Sequence, residues 1–335
     1  MTRKPVAVII LNWNGEKLLE RFLPSVVEHT SAAIADVIVA DNGSTDSSVA
    51  LLERDFPGVR LLKFEENLGF AEGYNRAVRD TQDEYDYTVL LNSDVRVDDD
   101  WLTPLYDFMT THPEVGAVQP KLLSEAEPTR FEYAGASGGF LDRHGYPYCR
   151  GRIFDTVEED CGQYDTPAKV HWASGACLMV DNSVYMRAGG LDARFFAHME
   201  EIDLCWRIRL MGKEIWAIPS SHVYHLGGGS LPASNPRKTY LNFRNNLLML
   251  HKNLPDSVRK GVLFRRRLLD TVAWAKFLLT GDFPQAGAVW RAHRDFAKMR
   301  CHYDRHPNEN LLDVGVNIIF DYYARARHTW DSLEN

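Results

Sequence analysis

Short apolar runs recur through the first third of the chain, and each is followed by a polar knot and then by a helical pattern. VAVIIL (6–11) precedes a helix from about Glu16, DVIVAD (36–41) one after Ser44, VRLLKF (59–64) one from about Ala71, and YTVLL (87–91) one near Trp101. Apolar runs of strand length alternating with helices predict parallel strands joined by crossover helices. The expected core is therefore a Rossmann-like, mostly parallel α/β sheet with helices on both faces. After Gln119 the rhythm gives way to a Gly-, Tyr- and Pro-rich stretch through Pro167, expected as loops and short antiparallel strands. A third block follows: the strand pattern VHWASGACLMV (170–180), a helix over FFAHMEEIDLCWRIRLM stopped by Gly212, and the strand EIWAIP (214–219). From about Tyr240 the chain reads as helical, with breaks at Gly281 and Pro284.

In open parallel sheets, ligands sit outside the carboxyl ends of the strands, so the polar residues at the four exits are the ones to weigh. They are Asn12 with Asn14, Asp41 with Asn42, Asn67 with Gly69, and Asn92 with Asp94. Any one of these alone reads best as a turn former or a helix cap. Four such exits brought to one edge make a crevice lined with amides and carboxylates. Asp94 ends the buried run YTVLL and is the candidate ligand for a hard cation, because Mg²⁺ commonly takes one or two carboxylates plus phosphate oxygens. Asp98, Asp99 and Asp100 are expected to open the next helix and complement its dipole.

Bulk properties narrow the class. The formal charge of −8 over 335 residues argues against nucleic-acid binding by the whole surface. Basic residues nevertheless cluster after Arg237, including Arg265, Arg266 and Arg267. The five cysteines are odd in number and form no C-x-x-C pair, which suggests neither a disulfide framework nor a zinc site and fits the cytoplasm. VAVIIL is too short for a signal-peptide core, and no apolar window has membrane-spanning length.

VIILNWNG, VADNGSTDSS, ENLGFAEGYNRA and LLNSDV, in that order, resemble the nucleotide-binding half of family-two glycosyltransferases of the GT-A fold, especially the bacterial rhamnosyltransferase-like subgroup. WASGACLMV, FFAHMEEIDLCWR and HLGGGS resemble the acceptor half of the same subgroup. The resemblance implies a nucleotide-sugar-binding half over 1–120, an acceptor-binding half over 121–254 and a helical extension over 255–335. It implies that Asp41 contacts the nucleobase or ribose, with Asn12, Asn14 and Asn42 nearby, and that Asn67, Gly69 and Asn75 shape the sugar-nucleotide pocket. NSD stands where the family carries its D-x-D metal motif, with Asn92 in place of the first carboxylate, so Asp94 would bind Mg²⁺ or Mn²⁺. His225 of YHLGGGS would complete the metal or diphosphate site, and an imidazole ligand favours manganese. His222 is its nearest competitor. Arg244 would meet the diphosphate.

Inverting transfer needs a base for the acceptor hydroxyl. Where the family carries an ED motif at the start of this helix, this chain has Glu200 and Glu201 instead, and Glu201, matching the motif's Asp, is the first choice of base with Glu200 the rival. Trp172, Ser174 and Gly175 would lie beside the acceptor, with Asp203 organising the acceptor loop through an i,i+4 pair with Arg207. A buried tryptophan of the core explains Trp172 equally well. Gly227, Gly228 and Gly229 read either as a phosphate cradle or as a plain turn. RRRLLDTVAWAKFLLTGDF mixes Arg with Leu, Trp and Phe, a composition suited to a membrane interface or to an ordinary packed amphipathic helix.

The expectation is thus an inverting, metal-dependent glycosyltransferase. It would move a sugar, rhamnose first among the candidates, from a nucleotide diphosphate (TDP-rhamnose or a UDP-sugar) to a saccharide or lipid-linked acceptor of a bacterial surface polysaccharide. The expected place is the cytoplasm or the inner face of its membrane. The alternatives are a transferase using another UDP-sugar and a non-catalytic sugar-nucleotide-binding protein.

Overall fold

A computed structural model describes residues 4–227, 235–303 and 309–334. Strand β1 (Val6–Asn12) leads through α1 (Glu16–His29) to β2 (Ala35–Asp41), α2 (Ser48–Asp55) and β3 (Arg60–Lys63). Next come α3 (Gly69–Thr81), β4 (Tyr87–Leu91), the short β5 (Val95–Val97), α4 (Thr103–Thr111) and β6 (Val115–Ser124). A small antiparallel sheet follows, made of β7 (Gly139–Leu141), β8 (Pro147–Cys149), β9 (Arg152–Ile153) and β10 (Thr156–Val157). The chain then returns through β11 (Ala168–Val170), β12 (Cys177–Asp181), α5 (Asn182–Arg187), α6 (Glu200–Leu210) and β13 (Glu214–His225). It ends in the helices α7 (Pro236–Asn253), α8 (Asp256–Leu279), α9 (Phe283–Met299), α10 (Ile318–Ala324) and α11 (Trp330–Glu334).

The nine-stranded main sheet runs in the order β3-β2-β1-β4-β12-β6-β13-β11, with β5 paired to β13. Strands β3, β2, β1 and β4 are parallel, β12 enters antiparallel between β4 and β6, and β13 lies parallel to β6. The first five residues of β1 are sealed on both faces, as a run of Val, Ala and Ile in a helix-covered parallel sheet should be. Two large apolar clusters result. One lies under α3 and α6 and the other under α1 and α4. Residue 120 falls inside β6, so the sheet runs without interruption from the expected nucleotide half into the expected acceptor half.

Three local expectations give way to tertiary structure. The strand pattern over 170–180 is broken: β11 ends at Val170 and β12 starts at Cys177, leaving His171–Ala176 as a turn in which Trp172 is buried. The helix expected from Phe195 starts at Glu200, because Phe196, His198 and Met199 all have positive φ and cannot belong to it. The acidic trio does not open a helix. Asp98 pairs with Arg96, Asp99 with His29, and Asp100 is left-handed at φ 57°, so α4 begins only at Thr103. Gly228 and Gly229 lie outside the described residues.

The C-terminal helices dock by a buried polar seam. Asp142, completely buried, accepts from the backbone N–H groups of His144, Tyr146 and Ile318. Its carboxyl is pushed up to about 6 by burial, against the pull of those three bonds. Arg266 stacks on the Tyr146 ring at 3.6 Å from the centroid, and Asp270 accepts from Arg266, Tyr146 and His293.

Candidate active site

The exits of β1 and β2 are knitted together by their own side chains. In-register pairing sets Asn12 opposite Asp41, and Asn12 Nδ2 donates to Asp41 Oδ1 at 3.0 Å and to Ser44 Oγ at 3.2 Å. The second Asp41 oxygen accepts from the Ser44 N–H at 3.0 Å. Asn14 takes up a left-handed φ of 50°, and its Oδ1 accepts from the Thr45 N–H at 2.7 Å. Asn12 Oδ1 is buried without a partner. A Cβ at Gly15 would stand 2.4 Å from it, so only glycine lets the chain pass. Trp13, between the two asparagines, is 56% exposed.

One exit further along, Asn42 Nδ2 donates to Asn67 Oδ1 and to Gly69 O, both at 3.1 Å, while its Oδ1 accepts from the Leu68 N–H. Gly69 has φ 80° and begins α3 against the ring of Phe196, which reaches over from the turn before α6.

Asn92 and Asp94 stand at the end of β4. The Asn92 N–H donates to Ala176 O at 3.0 Å, joining this exit to the turn before β12. Asp94 Oδ1 lies 3.1 Å from His225 Nε2, at the end of β13, and the Asn92 amide is 3.4 Å from the same nitrogen. The other ring nitrogen faces Glu132 Oε1 at 3.4 Å. All three of these residues are buried. Burial opposes a charge on His225, but the carboxylates of Asp94 and Glu132 beside the ring outweigh it and lift the imidazole to about 10.

The donor set fits a divalent cation. Asp94 and His225 Nε2 converge from two strands, and Glu132 on the far nitrogen is the carboxylate that commonly fixes the orientation of a metal-ligating histidine. Among the described residues no three His, Cys, Asp or Glu side chains converge as a ready-made cage. Two protein donors suit an ion whose remaining ligands are diphosphate oxygens and water.

At the start of α6, Glu200 is 4% exposed and its Oε2 has no hydrogen-bond partner, whereas Glu201 is partly exposed and lies against Gly175. Burial raises the Glu201 carboxyl to about 7. Burial, reinforced by the neighbouring Glu201 charge, holds Glu200 well above the ordinary range. The two carboxyls titrate as a pair, each raised by burial.

The turn that aims this pair is clamped from α7. Asn245, fully buried, donates from Nδ2 to Phe195 O at 3.0 Å, Ala197 O at 2.8 Å and His198 O at 2.7 Å. Arg244 Nη2 donates to Phe195 O at 2.8 Å, and its Nε to Asn245 Oδ1 at 2.9 Å. The clamp spans the residues whose positive φ values end at Glu200.

Other residues singled out in the sequence hold the frame. Asn75 bonds both backbone groups of Leu191 at 2.8 Å and accepts from Tyr185. Asp203, with no exposed surface, accepts from Arg207, Lys252 and Asn253. Trp172 is 3% exposed, donates to Phe140 O at 2.9 Å and covers Gly139 so closely that any Cβ there would enter its ring. Ser174 is buried, donating to Ala134 O and accepting from the Ala176 N–H at 3.2 Å. Of the acceptor set, Gly175 is the member that reaches Glu201. His222 stands apart, 3.8 Å from Asp98. Glu132, Asn245 and Trp13 join the site without having been legible as site residues.

Residues 7–168 match the family described as Glycosyl transferase family 2. The N-acetylglucosaminyl-diphospho-decaprenol L-rhamnosyltransferase of Mycobacterium tuberculosis is 28% identical over 233 residues, covering 65% of this chain and 75% of that protein. Among solved structures, the mannosyltransferase PcManGT of Pyrobaculum calidifontis, in complex with GDP-Man and Mn²⁺, aligns with a TM-score of 0.52 at 17% identity, over 90% of this chain and 85% of its own. GalNAc-T7 with UDP, GalNAc and Mn²⁺ aligns with a TM-score of 0.57 at 16% identity over 76% of this chain, which spans about half of that transferase (49%). The chain is a glycosyltransferase with the GT-A fold, and its residues 7–168 match glycosyl transferase family 2.

Proposed function

We propose that the protein transfers a sugar, rhamnose first among the candidates, from a nucleotide diphosphate to a saccharide hydroxyl on a lipid-linked acceptor, with inversion and with a divalent cation. The observation that carries this reading is the joining of two chemistries at one sheet edge. The Asp94–His225 pair and the carboxylate Glu201 are linked through the Asn92 N–H bond to Ala176 O and the adjacent Gly175. Asn12, Asn14, Asp41 and the exposed Trp13 ring would hold the nucleoside, and Asn67 and Gly69 would shape the diphosphate passage.

Glu201 takes the proton of the acceptor hydroxyl, whose oxygen forms the new bond to the anomeric carbon as the bond to the diphosphate breaks. Attack opposite the leaving group inverts that centre. Asp94 and His225 would hold the cation, which supplies neutralisation of the departing diphosphate. Glu132 fixes the His225 ring and Asn92 borders it. The lipid-linked acceptor is supported by the diphospho-decaprenol substrate in the name of the mycobacterial relative.

Calorimetric titration with TDP-rhamnose and a panel of UDP- and GDP-sugars, each with and without Mn²⁺, tests the reading. One donor binding tightly only with metal is the expected result, and Asp94→Ala should abolish the metal requirement together with turnover. Binding and turnover indifferent to metal would sink the cation's place in it.

A further inference from the structure

Helix α8 is built inside out. Its inner face buries Arg259 (5% exposed), Val262 (5%), Arg266 (3%) and Asp270 (1%), the last two in the polar seam, while Phe264 (63%), Leu268 (55%), Val272 (68%) and Leu279 (89%) face outward. At about 100° per residue these four fall within roughly 80° of arc, one continuous stripe along the helix. Phe283, 67% exposed at the first position of α9, extends the apolar surface around the corner. Scattered exposed apolar residues are ordinary, but a contiguous stripe opposite a buried, largely charged face marks a surface that something covers.

Charge decides what covers it. Lys260 and Arg267 flank the stripe on one side and Arg265 and Lys276 on the other, all four exposed. The two acids of α8 stand elsewhere: Asp270 is buried, and Asp256 pairs with Arg259 at the helix start. Asp282, at the corner, caps α9 by accepting from the Gln285 N–H. Among the described residues no helix is long and apolar enough to cross a membrane. An apolar stripe between two basic rows has the form of a helix lying in the plane of an anionic bilayer, apolar side chains among the acyl chains and cations at the headgroups. A second copy docking through the same face would set basic rows against basic rows.

We propose that this face of α8, continued by Leu279 and Phe283 at the α8–α9 corner, seats the protein on an anionic phospholipid surface. The inference extends the lipid-linked acceptor of the proposed function but is read independently of catalysis.

The test is sedimentation of the full chain with phosphatidylcholine vesicles, with and without phosphatidylglycerol, alongside donor titration on the same preparation. Binding is expected to phosphatidylglycerol vesicles and to weaken with salt. Leu268→Gln/Val272→Gln should lower the partition coefficient about tenfold or more, since each removes an exposed apolar side chain. Arg265→Glu/Arg267→Glu should lose the preference for phosphatidylglycerol, at roughly fivefold per removed cation. Both variants should keep the wild-type melting temperature and donor affinity. A wild-type protein that stays in the supernatant, or binding indifferent to both double variants, overturns the proposal. A dimer in analytical ultracentrifugation that Leu268→Gln/Val272→Gln dissociates, with no vesicle binding, would assign the face to a second copy instead. Loss of donor binding with vesicle binding intact would count against the proposed transfer reaction alone.

Discussion

The two sides of the crevice are held by different means. On the nucleotide side, Asn12, Asn14, Asp41, Asn42 and Asn67 bond mostly to one another and to nearby backbone, in loops that are themselves the strand exits. On the acceptor side, three residues of positive φ lead into α6, and the carbonyls of Phe195, Ala197 and His198 in the same turn are gripped by Asn245 from a helix far along the chain. The first arrangement makes its shape from local hydrogen bonds and tolerates small losses. The second is strained and imposed from outside, and it sets the position of Glu200 and Glu201 at the start of α6. Such strain is retained where the surrounding structure over-determines it. A single lost contact should therefore cost more there.

The largest effect is expected at the base itself. Glu201→Gln should lower the turnover number by roughly 10²-fold or more with donor binding unchanged, the usual scale for loss of a general base. The same drop arising only in Glu200→Gln would reverse the two roles. In the wild type, turnover should rise with pH to a plateau above about 7, because the base must be ionised and burial lifts Glu201 there. Stability runs the other way. A carboxyl whose folded pKa exceeds its unfolded value of 4.5 binds more protons in the folded state, so stability falls as pH rises from 4.5 to about 7. Chemical denaturation at pH 5 and pH 8 should show Glu201→Gln losing part of that fall.

Next in size is the clamp. Asn245→Leu keeps the volume but takes the Asn245 donor from the Ala197 and His198 carbonyls and leaves Phe195 O with Arg244 alone, at a cost of about 1–3 kcal/mol in stability. Its sharper signature is kinetic: the turnover number should fall at least tenfold, by analogy with the cost of displaced catalytic groups, while donor affinity measured by calorimetry holds. An unchanged turnover number with lowered stability would reduce Asn245 to a fold residue and erase the contrast between the two sides.

Legibility in the sequence follows the same division. The parallel sheet and its four polar exits could be read because strand periodicity and the edge rule bring Asn12, Asp41, Asn67 and Asp94 together regardless of the rest of the chain. Glu132 and Asn245 could not, because one sits in a long irregular connection and the other in a helix whose pattern reports only its packing face. The start of α6 was misplaced by five residues for a related reason: nothing in FFAHM announces left-handed backbone, which Asn245 and the Phe196–Gly69 contact impose. Trp172 illustrates a different limit. An aromatic beside Ser-Gly reads equally as platform or core, and only its bond to Phe140 O and its burial over Gly139 separate the two. The inside-out α8 was half legible, since RRRLLDTVAWAKFLL shows the mixture of base and apolar side chains but not which of them point inward.

The smallest effect should come from the nucleotide side, and it tests whether that side is as local as it looks. Asn14 does two things at once: it occupies a left-handed conformation that asparagine tolerates better than most residues, and it accepts from the Thr45 N–H at 2.7 Å. Asn14→Gly keeps the backbone and loses the acceptor, whereas Asn14→Ala loses both. Thr45 and Asp46 are exposed to water that can replace the lost bond, so the glycine variant should raise the Kd for the donor only about twofold to fivefold, the worth of roughly one exposed hydrogen bond. Alanine should add the cost of the left-handed backbone, of order 1 kcal/mol, to stability as well. Turnover at saturating donor should stay at the wild-type value in both, since this loop touches neither Glu201 nor Asp94. If Asn14→Ala instead lowers saturated turnover as Asn245→Leu does, the nucleotide loops and the acceptor turn move as one unit, and the Phe196 ring resting on Gly69 is the contact through which they would do so.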